Sequence, residues 1–90
     1  MKQTKQAKKH HRFVWNHDPT AKEVSVAGTF NGWTPMPLKK TADRFQASIE
    51  LPTGEHEYKF IVDGAWQHDP AASESKMNAF GSMNSVVSVE

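Results

Sequence analysis

The 90-residue chain contains no cysteine, which excludes disulfide bonds and thiolate metal sites and fits a reducing compartment. It also lacks any run of the roughly 18 apolar residues that a membrane-spanning helix needs. Its basic N-terminus is not followed by the apolar stretch of a secretion signal. We therefore expect one small cytoplasmic domain without a membrane partner. Because so short a chain buries only about two-thirds of its unfolded surface, a large enclosed active site is not expected.

Motifs of catalysis and of metal binding are missing as well. The sequence has no G-x-S-x-G motif, no P-loop and no order of His, Ser and Asp that would orient a base, so we expect no enzymatic activity. The five histidines lack the spacing of a metal site, and we expect neither a metal nor a cofactor. Asp63 and Asp69 each stand beside a turn residue, which favours a structural role over a pair of catalytic carboxylates.

Positive charge is concentrated at the N-terminus. The first 12 residues hold five basic and no acidic residues, which leaves six basic and ten acidic residues, a net charge of −4, in residues 13–90. A polyanion-binding domain would carry positive charge on its folded body, so nucleic acid is not the expected partner. We interpret residues 1–11 as a basic, disordered tail and residues 12–90 as the folded domain. Contact of the tail with RNA or an anionic surface is the alternative.

The clearest strand pattern lies at residues 56–62, where mostly apolar even positions alternate with mixed odd positions. The Asp-Gly pair that follows is typical of a two-residue hairpin turn. The returning strand then brings Trp66 close to Lys59 or Ile61, according to the register. A tryptophan beside a lysine on an open sheet face suits a sugar, because the sugar ring stacks on the indole and the lysine donates hydrogen bonds to hydroxyls.

Alternating apolar residues predict further strands near residues 12–16, 23–30, 44–51 and 83–89. Gly28, inside the second of these, marks a bulge or a place where another segment comes close. Five or six strands separated by turns, with no convincing helix, predict an all-β, antiparallel β-sandwich. A closed barrel is the alternative.

Two segments do not follow this pattern. Pro35 and Pro37 argue against a regular central strand after the Asn-Gly turn. Residues 70–81 show no alternation, and we interpret them as a loop of about ten residues, with one short helical turn as the alternative. A loop longer than usual is a candidate functional segment.

The three tryptophans stand in different contexts. Trp15 shares strand parity with Phe13, which favours a place in the core. Trp33 and Trp66 each follow a glycine turn by one or two residues. There a large ring either serves as a binding platform or pins a loop, and the local pattern fits both roles.

The segments VSVAGTFNGW, LPTGEHEYKFIVDGAWQHDP and GSMNSVVSV, in this order and spacing, resemble carbohydrate-binding module family 48, and in particular the glycogen-binding domains of AMP-activated protein kinase β-subunits. The resemblance extends from about residue 12 to residue 89. It implies an immunoglobulin-like sandwich with a shallow surface site for α-1,4-linked glucan, such as glycogen, starch fragments or cyclodextrin.

The family's binding residues can be carried over one by one. Trp33 and Trp66 match its two stacking tryptophans, and Lys59 matches the lysine that bonds sugar hydroxyls. Asn84 matches the hydrogen-bonding asparagine of the last strand, and Ser82 takes a place usually held by a threonine. The resemblance thus implies non-catalytic glucan binding by stacking and hydrogen bonds.

Phe80 departs from the family pattern, because it stands where the kinase-subunit domains carry a leucine that reaches around or into the helical glucan. An aromatic ring at this position still suits packing against sugar. The rival hypothesis is a sandwich domain that uses its surface for protein contacts, with a kinase or an amylase-type enzyme as the partner. Since its last predicted strand ends the sequence, the chain is either a complete small protein or one domain of a longer one.

Overall fold

The computed structural model describes residues 8–17 and 20–90, which form two antiparallel sheets packed face to face. The strands are β1 (Lys8–Trp15), β2 (Val24–Gly28), β3 (Met36–Pro37), β4 (Lys39–Thr41), β5 (Arg44–Pro52), β6 (Gly54–Val62), β7 (Ala65–Gln67), β8 (Glu74–Met77) and β9 (Met83–Val89), with a short 3₁₀ turn at Thr29–Asn31. Across the described ranges, no helix has the length and apolar character needed to cross a membrane.

The first sheet has the strand order β1-β5-β4, and the second has the order β3-β2-β6-β9-β8, with β7 paired to β6. Every pairing among these strands is antiparallel. The predicted all-β, immunoglobulin-like antiparallel sandwich is therefore confirmed. Strand β6 lies in the middle of the larger sheet, so its outward-facing side chains mark the centre of that surface.

The core lies between β1 and β6. The even-numbered row of β6 points inward, and the ring of Phe60 is completely buried. The ring centroids of Trp15 and Phe60 are 5.1 Å apart, and those of Phe13 and Tyr58 are 5.0 Å apart, distances typical of packed aromatic pairs. Trp15 is only 3% exposed, which confirms its predicted place in the core.

Gly28 allows the close approach that the sequence predicted. A Cβ atom at this position would lie 2.4 Å from the carbonyl oxygen of Glu57 and 2.6 Å from the ring of Phe30. Both distances are shorter than non-bonded atoms tolerate, so any side chain here would push β2 away from β6. The glycine thus sets the spacing of two neighbouring strands at the place where the chain turns outward.

Strand β1 is longer than the strand predicted to start near residue 12. It begins at Lys8 and pairs with β5 from Lys8, opposite Pro52, to Trp15, opposite Phe45. Residues 8–12 are mostly exposed and polar, so they show no apolar alternation that would reveal a strand. Residues 8–11, which the sequence assigned to the basic tail, are therefore part of the sheet. Residues 1–7 of that tail lie outside the described residues.

The prediction of a loop at residues 70–81 was wrong in part, because this segment contains β8, which pairs with β9. All four residues of β8 are exposed, so the strand has no buried face and no alternating pattern. Pro37 lies in β3, opposite Ser25, at the edge of the larger sheet. An edge position tolerates the missing N–H group of proline, in agreement with the argument against a central strand there.

Candidate functional site

The outward row of β6 supplies the middle of the candidate site. Glu57, Lys59 and Ile61 alternate with the buried residues of the same strand and are half-buried on the outer face of the larger sheet. Strands β2 and β9 flank β6, so Lys59 lies in the interior of the larger sheet.

Trp66 arrives on this face through the predicted hairpin. Asp63 and Gly64 both have positive φ angles, 49° and 88°, as a two-residue turn that matches the twist of the strands requires. The register places Trp66 opposite Ile61, on the face shared with Lys59. The indole is 49% exposed, so much of it is open to a ligand.

Trp33 follows the 3₁₀ turn that comes after β2, the strand on the side of β6 opposite β9. Its φ angle is 61°, a left-handed conformation that is costly for a bulky residue and is held only where the surroundings enforce it. The N–H of Trp33 donates to the carbonyl oxygen of Gly28 at 2.9 Å, and Oδ1 of Asn31 accepts from the N–H of Gly28 at 3.0 Å. The indole is half-buried, and these two hydrogen bonds fix the backbone that carries it.

The last strand and the turn before it complete the site. Lys59 Nζ donates to Ser82 Oγ at 2.9 Å, and Asn84 Nδ2 donates to Glu57 Oε1 at 3.0 Å. Asn84 is 5% exposed, whereas Phe80, at the tip of the β8–β9 hairpin, is 93% exposed. A phenyl ring this exposed makes almost no contact within the domain, so its apolar surface is available to a ligand.

These side chains line one open groove of about 450 Å³. The structure brings together all six residues that the sequence singled out: Trp33, Lys59, Trp66, Phe80, Ser82 and Asn84. Among the described residues that line it, one cation and one carboxylate carry charge, so the groove has no net formal charge. Its aromatic and hydrogen-bonding lining fits a neutral ligand with many hydroxyl groups better than an ion.

Sequence reasoning missed three residues of the lining: Thr29, Glu57 and Asn78. Glu57 shares strand parity with Lys59, and this signal was sufficient to place it on the same face. Thr29 Oγ1 accepts from the N–H of Glu57 at 3.2 Å, a contact between distant segments that no local pattern reveals. Asn78 lies in the segment interpreted as a loop, where only its preference for turns was a signal.

The two aspartates considered for catalysis lie outside the groove lining and make structural hydrogen bonds. Asp63 Oδ1 accepts from the N–H groups of Lys22 and Glu23 at 2.9 and 2.8 Å. Asp69 Oδ2 accepts from the hydroxyl of Tyr58 at 2.7 Å. Burial and this hydrogen bond raise the pKa of Tyr58 well above its ordinary value. Both aspartates fit the structural role that the sequence favoured.

Two histidines have structural contacts as well. The ring of His56 donates from Nε2 to the carbonyl oxygen of Pro52 at 2.7 Å, and His17 Nε2 lies 3.8 Å from Asp69 Oδ1. In residues 8–17 and 20–90, no cluster of three or more His, Asp or Glu side chains is placed to hold a metal ion.

Known proteins are similar to this chain in sequence or in fold. The family described as "Glycogen recognition site of AMP-activated protein kinase" matches residues 10–90. The 5'-AMP-activated protein kinase subunit beta-1 of Sus scrofa is 44% identical over 70 residues, which cover 77% of this chain and 56% of that protein. The beta-2 subunit of Mus musculus is 46% identical over 71 residues, covering 77% of this chain and 26% of that protein.

The beta-1 subunit of Homo sapiens is 42% identical over 69 residues, which again cover 77% of this chain and 25% of that protein. The chain therefore spans about half of the Sus scrofa sequence and about a quarter of the other two relatives. A maltogenic amylase from S. marinus has the same fold over 88% of this chain and 13% of its own, with a TM-score of 0.72 and 22% identity. Because the family match covers nearly the whole sequence, the chain belongs to the family of glycogen recognition sites of AMP-activated protein kinase.

Proposed function

We propose that the groove binds α-1,4-linked glucan, such as glycogen, starch or maltooligosaccharides, and that it does so without catalysis. The observation that carries this proposal is the meeting of Trp33, Trp66 and Lys59 in one open, formally neutral groove. Flat aromatic faces beside hydrogen bond donors suit the apolar faces and hydroxyl groups of glucose. Family membership supports the choice of glucan over other sugars.

In this binding mode, the two indoles stack on glucose units of one chain, and the central donors bond their hydroxyl groups. The Lys59 ammonium has three N–H groups and uses one of them on Ser82, so it keeps donors for a sugar. Phe80, which extends from its hairpin into solvent, packs against the outer surface of the coiled glucan.

The affinity is expected to be modest. The groove is open to solvent, and a flexible glucan loses conformational freedom when it is bound. We expect dissociation constants between ~1 μM and ~1 mM.

Isothermal titration with β-cyclodextrin or maltoheptaose tests the site directly. Trp66→Ala should abolish most of the binding, because it removes one stacking surface. Met77→Ala is a matched control, since Met77 is also an exposed apolar residue but does not line the groove. Undiminished binding by the Trp66→Ala protein would contradict the proposed site.

The absence of catalysis is part of the proposal. Glycoside hydrolysis by the common mechanisms needs two carboxyl groups on either side of the scissile bond. Within the described part of the chain, the groove lining contains a single carboxylate, Glu57, and it already accepts a hydrogen bond from Asn84. Incubation of the protein with maltoheptaose should therefore release no new reducing ends, and their appearance would contradict this part of the proposal.

We also propose that the domain acts beside a kinase or a glucan-metabolising enzyme, because its relatives are named as kinase subunits and most are far longer than this chain. A domain that used its surface only for protein contacts should stay in the supernatant when glycogen is sedimented, whereas a glucan-binding domain should pellet. The cytoplasmic location expected from the sequence stays a prediction, and cell fractionation tests it.

A further inference from the structure

Asn78 follows β8 directly, and its side-chain amide makes contacts at both ends. Its Oδ1 atom accepts from the backbone N–H groups of Phe80 at 2.9 Å and of Ser82 at 3.1 Å. Because backbone N–H groups only donate, these two contacts identify the oxygen end of the amide. One side chain thus orders the turn that carries Phe80 and leads into β9.

The nitrogen end of the same amide donates hydrogen bonds to two side chains that line the groove. Asn78 Nδ2 donates to Ser82 Oγ at 2.8 Å and to Asn84 Oδ1 at 3.1 Å. Ser82 Oγ also accepts from Lys59 Nζ at 2.9 Å. A serine hydroxyl has two acceptor sites and one hydrogen, so both of its acceptor sites are occupied. The hydroxyl hydrogen of Ser82 is left to donate.

Asn84 is restricted in part, because one of the two acceptor sites on its Oδ1 atom is occupied. Its Oδ1 atom accepts from Asn78, and its Nδ2 atom uses one hydrogen on Glu57 Oε1 at 3.0 Å, which leaves the second hydrogen free. Together with the remaining N–H groups of Lys59, Ser82 and Asn84 therefore offer donors to the groove, whereas Glu57 contributes carboxylate oxygens that accept.

We propose that Asn78 is a positioning residue that gives Ser82 and Asn84 this donor character. By occupying acceptor sites on Ser82 and Asn84, it directs both side chains to donate to oxygen atoms of the bound ligand. The inference rests on the proposed glucan function and adds to it the direction of the hydrogen bonds: the glucose oxygens that meet Ser82 and Asn84 act as acceptors. The side chain of Asn78 has no hydrogen-bonding capacity left for the sugar.

Asn78→Asp separates this role from simple ordering of the turn. The new carboxylate has the same shape and still accepts from the two backbone N–H groups, but it has no N–H to give. The Ser82 hydroxyl then turns to donate to the carboxylate instead of to the ligand. We expect affinity for β-cyclodextrin to fall about tenfold, the equivalent of one or two lost hydrogen bonds, in a protein that still folds but has a lower melting temperature, because the buried Asn84 Oδ1 loses its donor.

A double-mutant cycle with Ser82→Ala tests whether the loss of β-cyclodextrin affinity arises through Ser82. If Asn78 acts through Ser82, Asn78→Asp should cost less affinity in the Ser82→Ala background than in the wild type. Wild-type affinity of the Asn78→Asp protein, or an equal loss in both backgrounds, would overturn the proposal. Ser82→Ala gives an independent measurement should the first variant not fold: about fivefold weaker binding supports the proposal, and unchanged binding overturns it.

Trp66→Ala, measured in parallel, separates this inference from the function on which it rests. If the wild type fails to bind β-cyclodextrin, or if Trp66→Ala binds as the wild type does, the glucan site itself is wrong and the inference falls with it. If Trp66→Ala loses binding while Asn78→Asp keeps it, the glucan site stands and only the role of Asn78 is wrong.

Discussion

The hydroxyl of Tyr58 donates a hydrogen bond to Asp69 Oδ2 at 2.7 Å, and this contact joins the middle of β6 to the segment that follows the β6–β7 hairpin. The side chain of Asp69 is only 11% exposed. Its backbone N–H donates to Ser85 Oγ at 2.6 Å, so the same residue is also tied to β9. The segment after Trp66 is therefore fixed to the two strands that carry the polar side of the groove.

Tyr58→Phe should lower the free energy of unfolding by about 1.5 to 3 kcal/mol, because it removes a hydrogen bond to a charged group that is shielded from water. Urea denaturation of the two proteins measures the difference. The Asp69→Ala background is the control, since the partner is absent there and the loss should be much smaller. An equal loss in both backgrounds would show that the hydrogen bond is not the cause.

Tyr58 should also make stability depend on pH in the alkaline range. Burial, reinforced by Asp69, raises the pKa of the phenol above its ordinary value of 10.0. Above that pH, the unfolded chain loses the phenolic proton while the folded chain keeps it, so the free energy of unfolding falls as the pH rises. Below it, both states are protonated and the phenol contributes no pH dependence.

The chain has a single tyrosine, so this titration can be observed directly. Tyrosinate absorbance should appear at clearly higher pH in the folded protein than in urea. Tyr58→Phe should lack the tyrosine component of the alkaline loss of stability. Ionisation of the folded phenol at its ordinary pKa would contradict the expectation.

The sequence predicted the parts of the site that depend on local chemistry. Residues 56–62 alternate between mostly apolar and mixed positions, and the Asp-Gly turn permits few hairpin geometries. The strand, its buried face and the approach of Trp66 to Lys59 or Ile61 therefore followed without coordinates. The choice between these two neighbours did not follow, because the register depends on the complete hairpin. The structure pairs Trp66 with Ile61.

Other parts were beyond local patterns. Strand β8 is exposed along its whole length, so its sequence has no apolar periodicity. It forms because its backbone pairs with that of β9. Asn78 was missed for a related reason: its role depends on the hairpin that β8 forms, and the same residue in a loop would have only turn propensity. Contacts between elements, more than residue types, decide these features.

Gly28→Ala should destabilise the domain by about 1 to 3 kcal/mol, because the added methyl group would collide with the backbone of β6, which cannot move away without disturbing the sheet. Thermal unfolding measures the loss. Glucan affinity should fall as well, because the Gly28 carbonyl oxygen accepts the hydrogen bond that positions the backbone of Trp33.

Gly32→Asn is the matched control for Gly28→Ala. Gly32 has a positive φ angle of 65°, and asparagine tolerates this conformation better than other residues. A Cβ atom at Gly32 would point into open space, with no atom of the described residues beyond its chain neighbours within 4 Å. The control should lose much less stability than Gly28→Ala. If the two variants were equally destabilised, the collision with Glu57 would not be the reason.

Lys59→Met should weaken β-cyclodextrin binding by about tenfold to a hundredfold, the equivalent of a lost hydrogen bond to a charged donor, while the apolar part of the side chain is retained. Isothermal titration measures the affinity. Lys39→Met removes an exposed lysine of the other sheet, which does not line the groove, and should leave binding unchanged. Equal effects of the two changes would indicate a general influence of charge instead of a contact made by Lys59.

Salt should have little effect on glucan binding, because the ligand is neutral and the groove has no net formal charge. We expect the β-cyclodextrin affinity to stay within about twofold between low salt and ~0.5 M salt. Binding of RNA by the basic N-terminus, the alternative considered for that segment, would instead weaken steeply over this range. Deletion of residues 1–7 is the suitable control for this RNA-binding alternative. A longer deletion would remove residues of β1. A steep salt dependence of β-cyclodextrin binding would contradict the stacking and hydrogen-bonding mode, because that mode displaces no counterions from a charged ligand.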